Sequence, residues 1–204
     1  MNPVRLRKCV ALVLLIGMFS CAKDVSNTET KEPAKTDSSS FTIYTIQQGN
    51  QYCDQEKFTP IQLSRLDFIV RFDSSAIYKT ANPNNQGDVN KLIGFSDNST
   101  LHHEFSARFG WRWNKNALSL QAYVYNDGKR SFKDLGVIEI GKDYTCSIVV
   151  DGDHYSFLLN NKITEMPRTS AGSIAEGYKL FPYFGGDEVA PHTVTIQIRE
   201  EKGF

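Results

Sequence analysis

Seven side chains of this sequence have the chemistry of a sugar-binding surface. They comprise two arginines, one glutamine, three tyrosines and one histidine: Arg108, Arg112, Gln121, Tyr123, Tyr125, Tyr183 and His102. Arginine forks and amide donors bind carboxylates and hydroxyls, and phenol rings stack on the flat faces of pyranoses. The two arginines favour a sugar with an anionic, uronate-type component. Alternatively, tyrosine–arginine pairs of this kind only stabilise a solvated sheet face.

Alternation of apolar and polar residues predicts the strands that bring these side chains together. The period is two in four runs: 66–72, 105–113, 118–125 and 193–199. Such alternation is typical of half-buried strands with one face toward a core. In the second and third runs the polar members of the set alternate with large apolar residues such as Trp111 and Leu120, so they are predicted to share the opposite face. His102 has the same parity as Arg108, and His103 is predicted to point into the core.

Turn residues separate the β-rich runs and indicate the fold class. The turn signals are Asn-Asp-Gly, Asp-Gly-Asp and Asn-Asn at 126–128, 151–153 and 160–161. The segment 170–176 is the one place where a short helix is predicted. Near the end of the chain, Lys179, Phe181 and Tyr183 are predicted to point outward, and the residues between them inward. Regularly spaced strands without helices between them predict an all-β antiparallel sandwich or barrel.

The hairpin at 144–161 resembles a stretch of the concanavalin A-like (lectin/glucanase, laminin-G-like) jelly rolls. It reads strand, Asp-Gly turn, strand, Asn-Gly turn, with Asn161 where that superfamily commonly has glycine. The ending Phe-Pro-Tyr-Phe-Gly-Gly at 181–186, followed by a strand at 192–199, is similar to the superfamily's closing strands. The resemblance covers roughly residues 91–199 and implies a jelly-roll β-sandwich. It implies little about activity, because the superfamily holds lectins, hydrolases, lyases and adhesion modules.

The motifs of the catalytic branches are incomplete in this chain. Related glucanases place Glu-x-Asp-x-Glu along one strand, whereas this chain offers only Glu139 within 137–141, which disfavours glycoside hydrolysis. Alginate-lyase-type jelly rolls use four residue types that this chain also supplies, as Arg108, Gln121, His102 and Tyr183. Their Gln-Ile-His motif is missing, since Gln121 is followed by Ala-Tyr, and their Tyr-Phe-Lys-Ala-Gly strand appears only as Tyr-Phe-Gly-Gly at 183–186.

These observations favour binding of carbohydrate, with an anionic component, without catalysis. A polysaccharide lyase acting on a uronate-containing glycan is the enzymatic alternative. A structural or protein-binding adhesion module is a further alternative, and it would use the same sheet face.

The first 24 residues predict where the protein is delivered. Arg5, Arg7 and Lys8 precede 11 apolar residues, fewer than the ~20 that a membrane-spanning helix needs. This order is typical of a secretory signal. Met-Phe-Ser-Cys at 18–21 resembles a bacterial lipobox, which implies a lipoprotein signal peptide at 1–20, lipidation of Cys21, and a cell-envelope protein at the outer membrane or cell surface. Ordinary signal cleavage is the alternative.

Composition divides the remainder of the chain into a tether and one domain. Residues 22–40 contain one aliphatic residue larger than alanine and no aromatic one, so 21–40 is predicted to be a flexible tether. A single β-sandwich domain is predicted at 41–204, which is long enough for one core. Removal of 1–20 takes three of the 23 basic residues and none of the 23 acidic ones, giving a net charge of −3. That balance argues against a nucleic-acid partner, and contact with the membrane is predicted only through the lipid anchor.

The domain holds two cysteines, Cys53 and Cys146. In an oxidising compartment they could form a disulfide worth up to ~4–5 kcal/mol, and alternatively both are buried thiols. No cofactor or metal is predicted. Adjacent strand residues such as His102 and His103 point to opposite faces and cannot share an ion. A structural calcium at Asp88, Asp97 or Asp187 is the alternative, and no motif supports it.

Overall fold

Residues 40–201, the part of the chain that the computed structural model describes, contain twelve β-strands and two 3₁₀-helices. The strands are β1 (Thr42–Ile46), β2 (Pro60–Leu63), β3 (Arg65–Phe72), β4 (Asn90–Ser96), β5 (Ser106–Asn114), β6 (Ala117–Asn126), β7 (Lys129–Ile138), β8 (Tyr144–Asp151), β9 (His154–Leu159), β10 (Lys162–Pro167), β11 (Ala175–Leu180) and β12 (Val194–Glu201). The predicted signal peptide, Cys21 and nearly all of the predicted tether lie outside the described residues.

The strands form two six-stranded antiparallel sheets. The back sheet has the order β1-β12-β3-β8-β9-β10, and the front sheet has the order β2-β11-β4-β5-β6-β7. Neighbouring strands in each sheet often lie far apart in the chain, as for β12 beside β3. The predicted all-β antiparallel sandwich is confirmed.

The core lies between the two sheets, where the predicted alternation places large apolar side chains. Phe68 of the back sheet and Phe109 of the front sheet contact edge to face at 5.3 Å. Trp111 is fully buried and packs on Phe72, with ring centroids 5.3 Å apart. Because successive side chains of a strand point to opposite faces, the polar residues of β5 and β6 occupy the outer face of the front sheet.

Tight turns fix the register of the hairpins. Between β6 and β7, Asp127 and Gly128 both have positive φ, 51° and 71°. Such paired positive values match the right-handed twist of the flanking strands. Between β5 and β6, Lys115 and Asn116 adopt the same conformation, with φ of 50° and 57°. Lysine followed by asparagine is a weaker turn signal, and this turn was not among those predicted.

The predicted helix at 170–176 is wrong. The segment runs through bends into β11, whose first residue, Ala175, pairs with Leu63 of β2. The Arg168 guanidinium binds the carbonyl oxygens of Gly172 and Ile174, which are therefore unavailable for a helical ladder. Tertiary contacts thus decide the conformation. The 3₁₀-helices lie elsewhere, at Ser74–Ala76 and Pro83–Asn85.

The disulfide between Cys53 and Cys146 does not form, and both thiols are free and buried. Cys53 forms an isolated β-bridge with Ile46 on the outer side of β1. Cys146 lies on β8, which is three strands further into the back sheet. Four strand spacings of about 4.8 Å separate the two residues, far more than the ~7 Å that a disulfide spans between Cα atoms. Both cysteines act as small apolar core residues. Burial raises the pKa of the Cys146 thiol well above its ordinary value.

No helix among residues 40–201 has the length and apolar character needed to cross a membrane.

Candidate functional site

A pocket of about 390 Å³ opens on the outer face of the front sheet. We call it the front pocket. Its lining combines basic, acidic and aromatic side chains: Tyr52, Glu56, Lys91, His102, His103, Ser106, Arg108, Tyr123, Tyr125, Arg130, Leu180, Phe181, Pro182, Tyr183, Gly186 and Asp187.

Strand register explains how the centre of the front pocket is assembled. One row of paired residues runs across four strands, from Leu180 through Gly94 and Arg108 to Tyr123. A Cβ atom at Gly94 would lie 2.2 Å from the Cβ atom of Arg108, so this position has room only for glycine. The prediction that Arg108 and Tyr123 share one face of the sheet is therefore confirmed, and the two residues are direct cross-strand partners.

Arg108 is the most deeply buried charge of the front pocket, with 7% of its surface exposed. Its Nη2 atom donates to the carbonyl oxygens of Leu92 at 2.9 Å and Phe181 at 2.6 Å. Its Nε atom is buried without a partner among the described residues. Burial lowers the pKa of the guanidinium to about 10. Its hydrogen-bond partners are neutral carbonyls, and within residues 40–201 no carboxylate forms an ion pair with it, although the negative charge of Glu56 acts on it from a distance.

Lys91 brings a second cation to the same place. Its Nζ atom lies 5.3 Å from the ring centroid of Tyr123 and 5.8 Å from that of Tyr183. Burial, followed by the positive charges of Arg108 and Arg130, lowers its pKa to about 8, against the opposing effect of Asp88. The positive charges of Arg108 and Arg130 therefore act on Lys91 across the pocket. Two acids, Glu56 and Asp187, also line it.

His102 contributes a neutral ring. The Tyr178 hydroxyl accepts a hydrogen bond from the His102 backbone N–H at 3.1 Å and lies 2.8 Å from Nδ1. The hydroxyl has one proton and two lone pairs, so the ring tautomer sets which of the two atoms donates. Burial and the charges of His103 and Arg108 lower the pKa of His102 to about 4.

The predicted inward orientation of His103 is wrong. Residues 102–104 form a turn before β5 begins at Ser106, so strand parity does not apply to them. The two histidine rings lie 4.1 Å apart and both line the front pocket. His103 also contacts the Tyr125 ring at 5.5 Å.

Five of the seven predicted site residues line the front pocket, and two do not. The five are His102, Arg108, Tyr123, Tyr125 and Tyr183. Arg112 and Gln121 lie further along their strands, where both bind Asp134, at 2.8 Å and 3.1 Å. Gln121 is fully buried. The charge of Arg112 is therefore already paired inside the protein, and the side chain of Gln121 is not presented to a ligand in the pocket.

The closing segment reverses part of the predicted parity. Leu180 and Pro182 face the front pocket, whereas Phe181 reaches the core and contacts the Tyr44 ring at 6.2 Å. Lys179 points between the sheets and pairs with Glu200 of β12. The inversion arises because Leu180 pairs with Gly94, on the face of Arg108. Tyr183 faces the pocket as predicted.

Sequence reasoning missed Lys91 and Arg130. A signal existed for Arg130, because the two-residue turn after Asn126 places Arg130 directly opposite Tyr125. Lys91 had no comparable signal, since an irregularity in β4 between Lys91 and Gly94 shifts its pairing with β5.

Solved structures with little sequence identity share this architecture. The alginate lyase AlyC3 superposes with a TM-score of 0.55 at 12% identity, covering 79% of this chain and 74% of that chain. A glycoside hydrolase family 16 endo-glucanase from Bacteroides ovatus gives 0.51 at 11% identity, covering 78% and 79%. The laminarinase catalytic domain from Thermotoga maritima gives 0.50 at 9% identity, covering 78% and 75%.

The domain has the concanavalin A-like jelly-roll fold. This confirms the resemblance seen in the hairpin at 144–161. No protein-family model and no curated protein matches the sequence. At 9–12% identity the jelly-roll neighbours establish the fold alone, and function has to be argued from the front pocket.

Proposed function

We propose that the front pocket binds an acidic carbohydrate without catalysis. The observation that carries this proposal is the pair of buried or half-buried cations, Arg108 and Lys91, for which the described part of the chain supplies no ion-pair partner. Burying a charge is unfavourable unless it is paired, and a ligand carboxylate would supply the missing partner. The names of the structural neighbours, an alginate lyase and glucan hydrolases, support a carbohydrate ligand.

The aromatic lining suits the rest of a sugar residue. Tyr123 and Tyr125 contact each other at 5.9 Å, and Tyr52 and Tyr183 contact each other at 5.0 Å. Phenol rings stack on pyranose faces and present hydroxyls to the ligand's own hydroxyls. The carboxylate would then contact Lys91 and Arg108, while the tyrosines hold the ring.

The proposal is tested by replacing Lys91, which forms no ion pair with any residue from 40 to 201. Lys91→Gln should weaken binding of an acidic oligosaccharide at least about tenfold, equal to ~1.4 kcal/mol, because one charged contact is lost. A glycan array with acidic and neutral oligosaccharides identifies the ligand, and calorimetry measures the affinity.

Lys162→Gln is the matched control, because Lys162 is an exposed residue of β10 in the back sheet. It should leave affinity unchanged. Equal affinities for the wild type and Lys91→Gln, or no binding to any acidic glycan, would refute the proposal. In the second case the sandwich is better explained as a structural or protein-binding module.

A polysaccharide lyase is the second candidate function. It is favoured because one pocket contains Arg108, His102 and Tyr183. These are three of the four residue types of alginate-lyase-type sites. The fourth, Gln121, is buried away from the pocket, and this weighs toward binding alone. If the protein is a lyase, a uronate polymer should yield an unsaturated product that absorbs in the ultraviolet, and Tyr183→Phe should abolish turnover but retain binding.

We also propose that the protein is lipid-anchored in a bacterial cell envelope. This proposal depends on the sequence alone, on the basic start, the short apolar run and Cys21. Cys21→Ala should leave the precursor uncleaved or release the protein from membranes. Electrophoretic mobility of the protein measures cleavage, and membrane fractionation measures release. A variant that is still cleaved and still sediments with membranes would show that no lipid on Cys21 holds it.

A further inference from the structure

A groove of about 800 Å³ lies at the β2 edge of the front sheet. We call it the edge groove. Its walls are the segment from Phe58 to Gln62, the loop at 99–101 and the strand β11. Neither Arg108 nor Lys91 contributes to it, so the edge groove and the front pocket are separate cavities.

The two cavities lie side by side on one sheet face. Tyr178 of β11 precedes Leu180 by two residues and therefore points to the same side as the row that contains Arg108. Tyr178 pairs with Pro60 of β2 and continues that face to the sheet edge. The hydrogen-bonded pair of Tyr178 and His102 stands between the cavities, with Tyr178 lining the groove and His102 lining the pocket. The two cavities are therefore neighbours on this face, with the Tyr178–His102 pair as the wall between them.

The lining of the edge groove differs from that of the front pocket in charge. Among its lining residues, all of them within the described part of the chain, the single charged side chain is Glu176. The front pocket, in contrast, holds the cations Lys91, Arg108 and Arg130. A carboxylate in the edge groove would meet Glu176 without a cation to offset it, whereas an uncharged group would not be repelled.

Exposed apolar and aromatic residues complete the edge groove. Phe58 is 78% exposed and Leu101 is 70% exposed, although both are large and apolar. The Phe58 ring lies 5.6 Å from the Tyr178 ring, with 36° between their planes. These side chains give the edge groove an exposed apolar and aromatic surface, which a neutral pyranose can contact.

Building on the proposed function, we propose that the ligand is a mixed acidic polysaccharide. The front pocket holds an acidic sugar residue, and the edge groove holds a neutral sugar residue of the same chain. This geometry distinguishes a heteropolymer from a homopolymer of uronates, since a homopolymer would place a carboxylate beside Glu176.

The test is an array that holds two sets of oligosaccharides of equal length, one of uronates alone and one in which uronates alternate with neutral hexoses. The wild-type protein should bind the alternating set more tightly. Phe58→Ala should weaken binding of the alternating set about two- to tenfold, the range of an aromatic contact, and should leave binding of the uronate set unchanged. Glu176→Lys should raise affinity for the uronate set.

Two controls keep the outcomes distinct. Ile163→Ala removes an apolar side chain that is 60% exposed on β10, and Glu139→Lys reverses an exposed charge after β7. Neither should alter the preference. If both sets bind equally, depend on Lys91 and ignore Phe58, the neutral-sugar site is refuted and the front-pocket proposal stands. If neither set binds, both proposals fail together.

Discussion

Two arginines are buried in this sandwich, Arg108 in the front pocket and Arg168 after β10, and their surroundings are opposite. Arg168 is 3% exposed and Arg108 is 7% exposed. The Nε atom of Arg168 donates to the Asp97 carboxylate at 2.9 Å, and both side chains are 1% exposed. The remaining nitrogens of Arg168 bind the carbonyl oxygens of Gly152, Gly172 and Ile174. Arg108, in contrast, binds two carbonyls through one nitrogen.

The exposed fractions of the two arginines do not separate a structural residue from a binding residue, but their bonding partners do. The Arg168 group joins the two sheets, because Asp97 follows β4 of the front sheet and Tyr155 of β9 donates its hydroxyl to Asp97 at 2.6 Å. Burial alone would raise the pKa of Asp97, but hydrogen bonds from Arg168 and Tyr155 hold it below its ordinary value. Arg168 thus belongs to a satisfied structural network. Arg108 keeps charge and donor capacity unused, as expected of a binding residue.

The comparison is tested most strongly by removing Arg168. Arg168→Met should lower the free energy of unfolding by ~3–5 kcal/mol, because Asp97 would remain buried without its partner. Chemical denaturation measures this loss.

The double variant Asp97→Asn with Arg168→Met provides the control. Without a buried charge left over, it should be less destabilised than Arg168→Met alone. A double variant that is less stable than the single one would mean that the network stabilises through its shape and packing rather than through charge pairing.

Arg108→Met should have a smaller effect on folding. Two carbonyl oxygens, those of Leu92 and Phe181, lose a donor, but an uncompensated buried charge is also removed, so the expected loss is at most ~1–2 kcal/mol. Binding of the acidic oligosaccharide should be lost at the same time. If Arg108→Met destabilises the protein as much as Arg168→Met does, the two arginines have the same structural role and the contrast is mistaken.

The smallest effect is a pH dependence of binding. Lys91 is surrounded by Arg108, Arg130, Asp88, Tyr123 and Tyr183, and its pKa is about 8. Its charged form predominates below that value, so affinity for an acidic ligand should fall as the pH rises above 8, by no more than about tenfold per pH unit. Calorimetry between pH 7 and pH 9.5, in buffers of constant ionic strength, measures the fall.

Lys91→Gln should remove this pH dependence. The pKa of Tyr123 is raised to about 12 by burial and the neighbouring Tyr125, so its ionisation does not interfere. An identical decline in Lys91→Gln would assign the effect to another group.

Much of the fold follows from local pattern. The strands around Trp111 and Phe68 were predicted because a period of two is a property of each strand by itself. The hairpin turn at Asp127 and Gly128 was predicted because its conformation is encoded by those residues. The predicted helix at 170–176 failed for the opposite reason, since Arg168 and β2 hold that segment from outside.

The candidate site was predicted only in part. Parity placed Arg108, Tyr123 and Tyr125 on one face, which the cross-strand pairs confirm. It could not show that Arg112 and Gln121 lie elsewhere, because parity gives the face of a residue but not its position along the sheet. Nor could it identify Asp134 as their internal partner, since an irregularity between Leu120 and Gln121 sets the register with β7.

The sequence by itself determined that this chain builds an antiparallel sandwich with a polar outer face, because hydrophobic alternation and turn chemistry act within a few residues. The tertiary structure decided which cation is free and which is neutralised. Arg108 and Arg168 are the same residue type at similar burial, and they differ in charge pairing because Asp97, 71 residues away in the chain, binds Arg168. Residues so far apart in the chain meet only when the two sheets pack together, and local sequence patterns do not encode that packing.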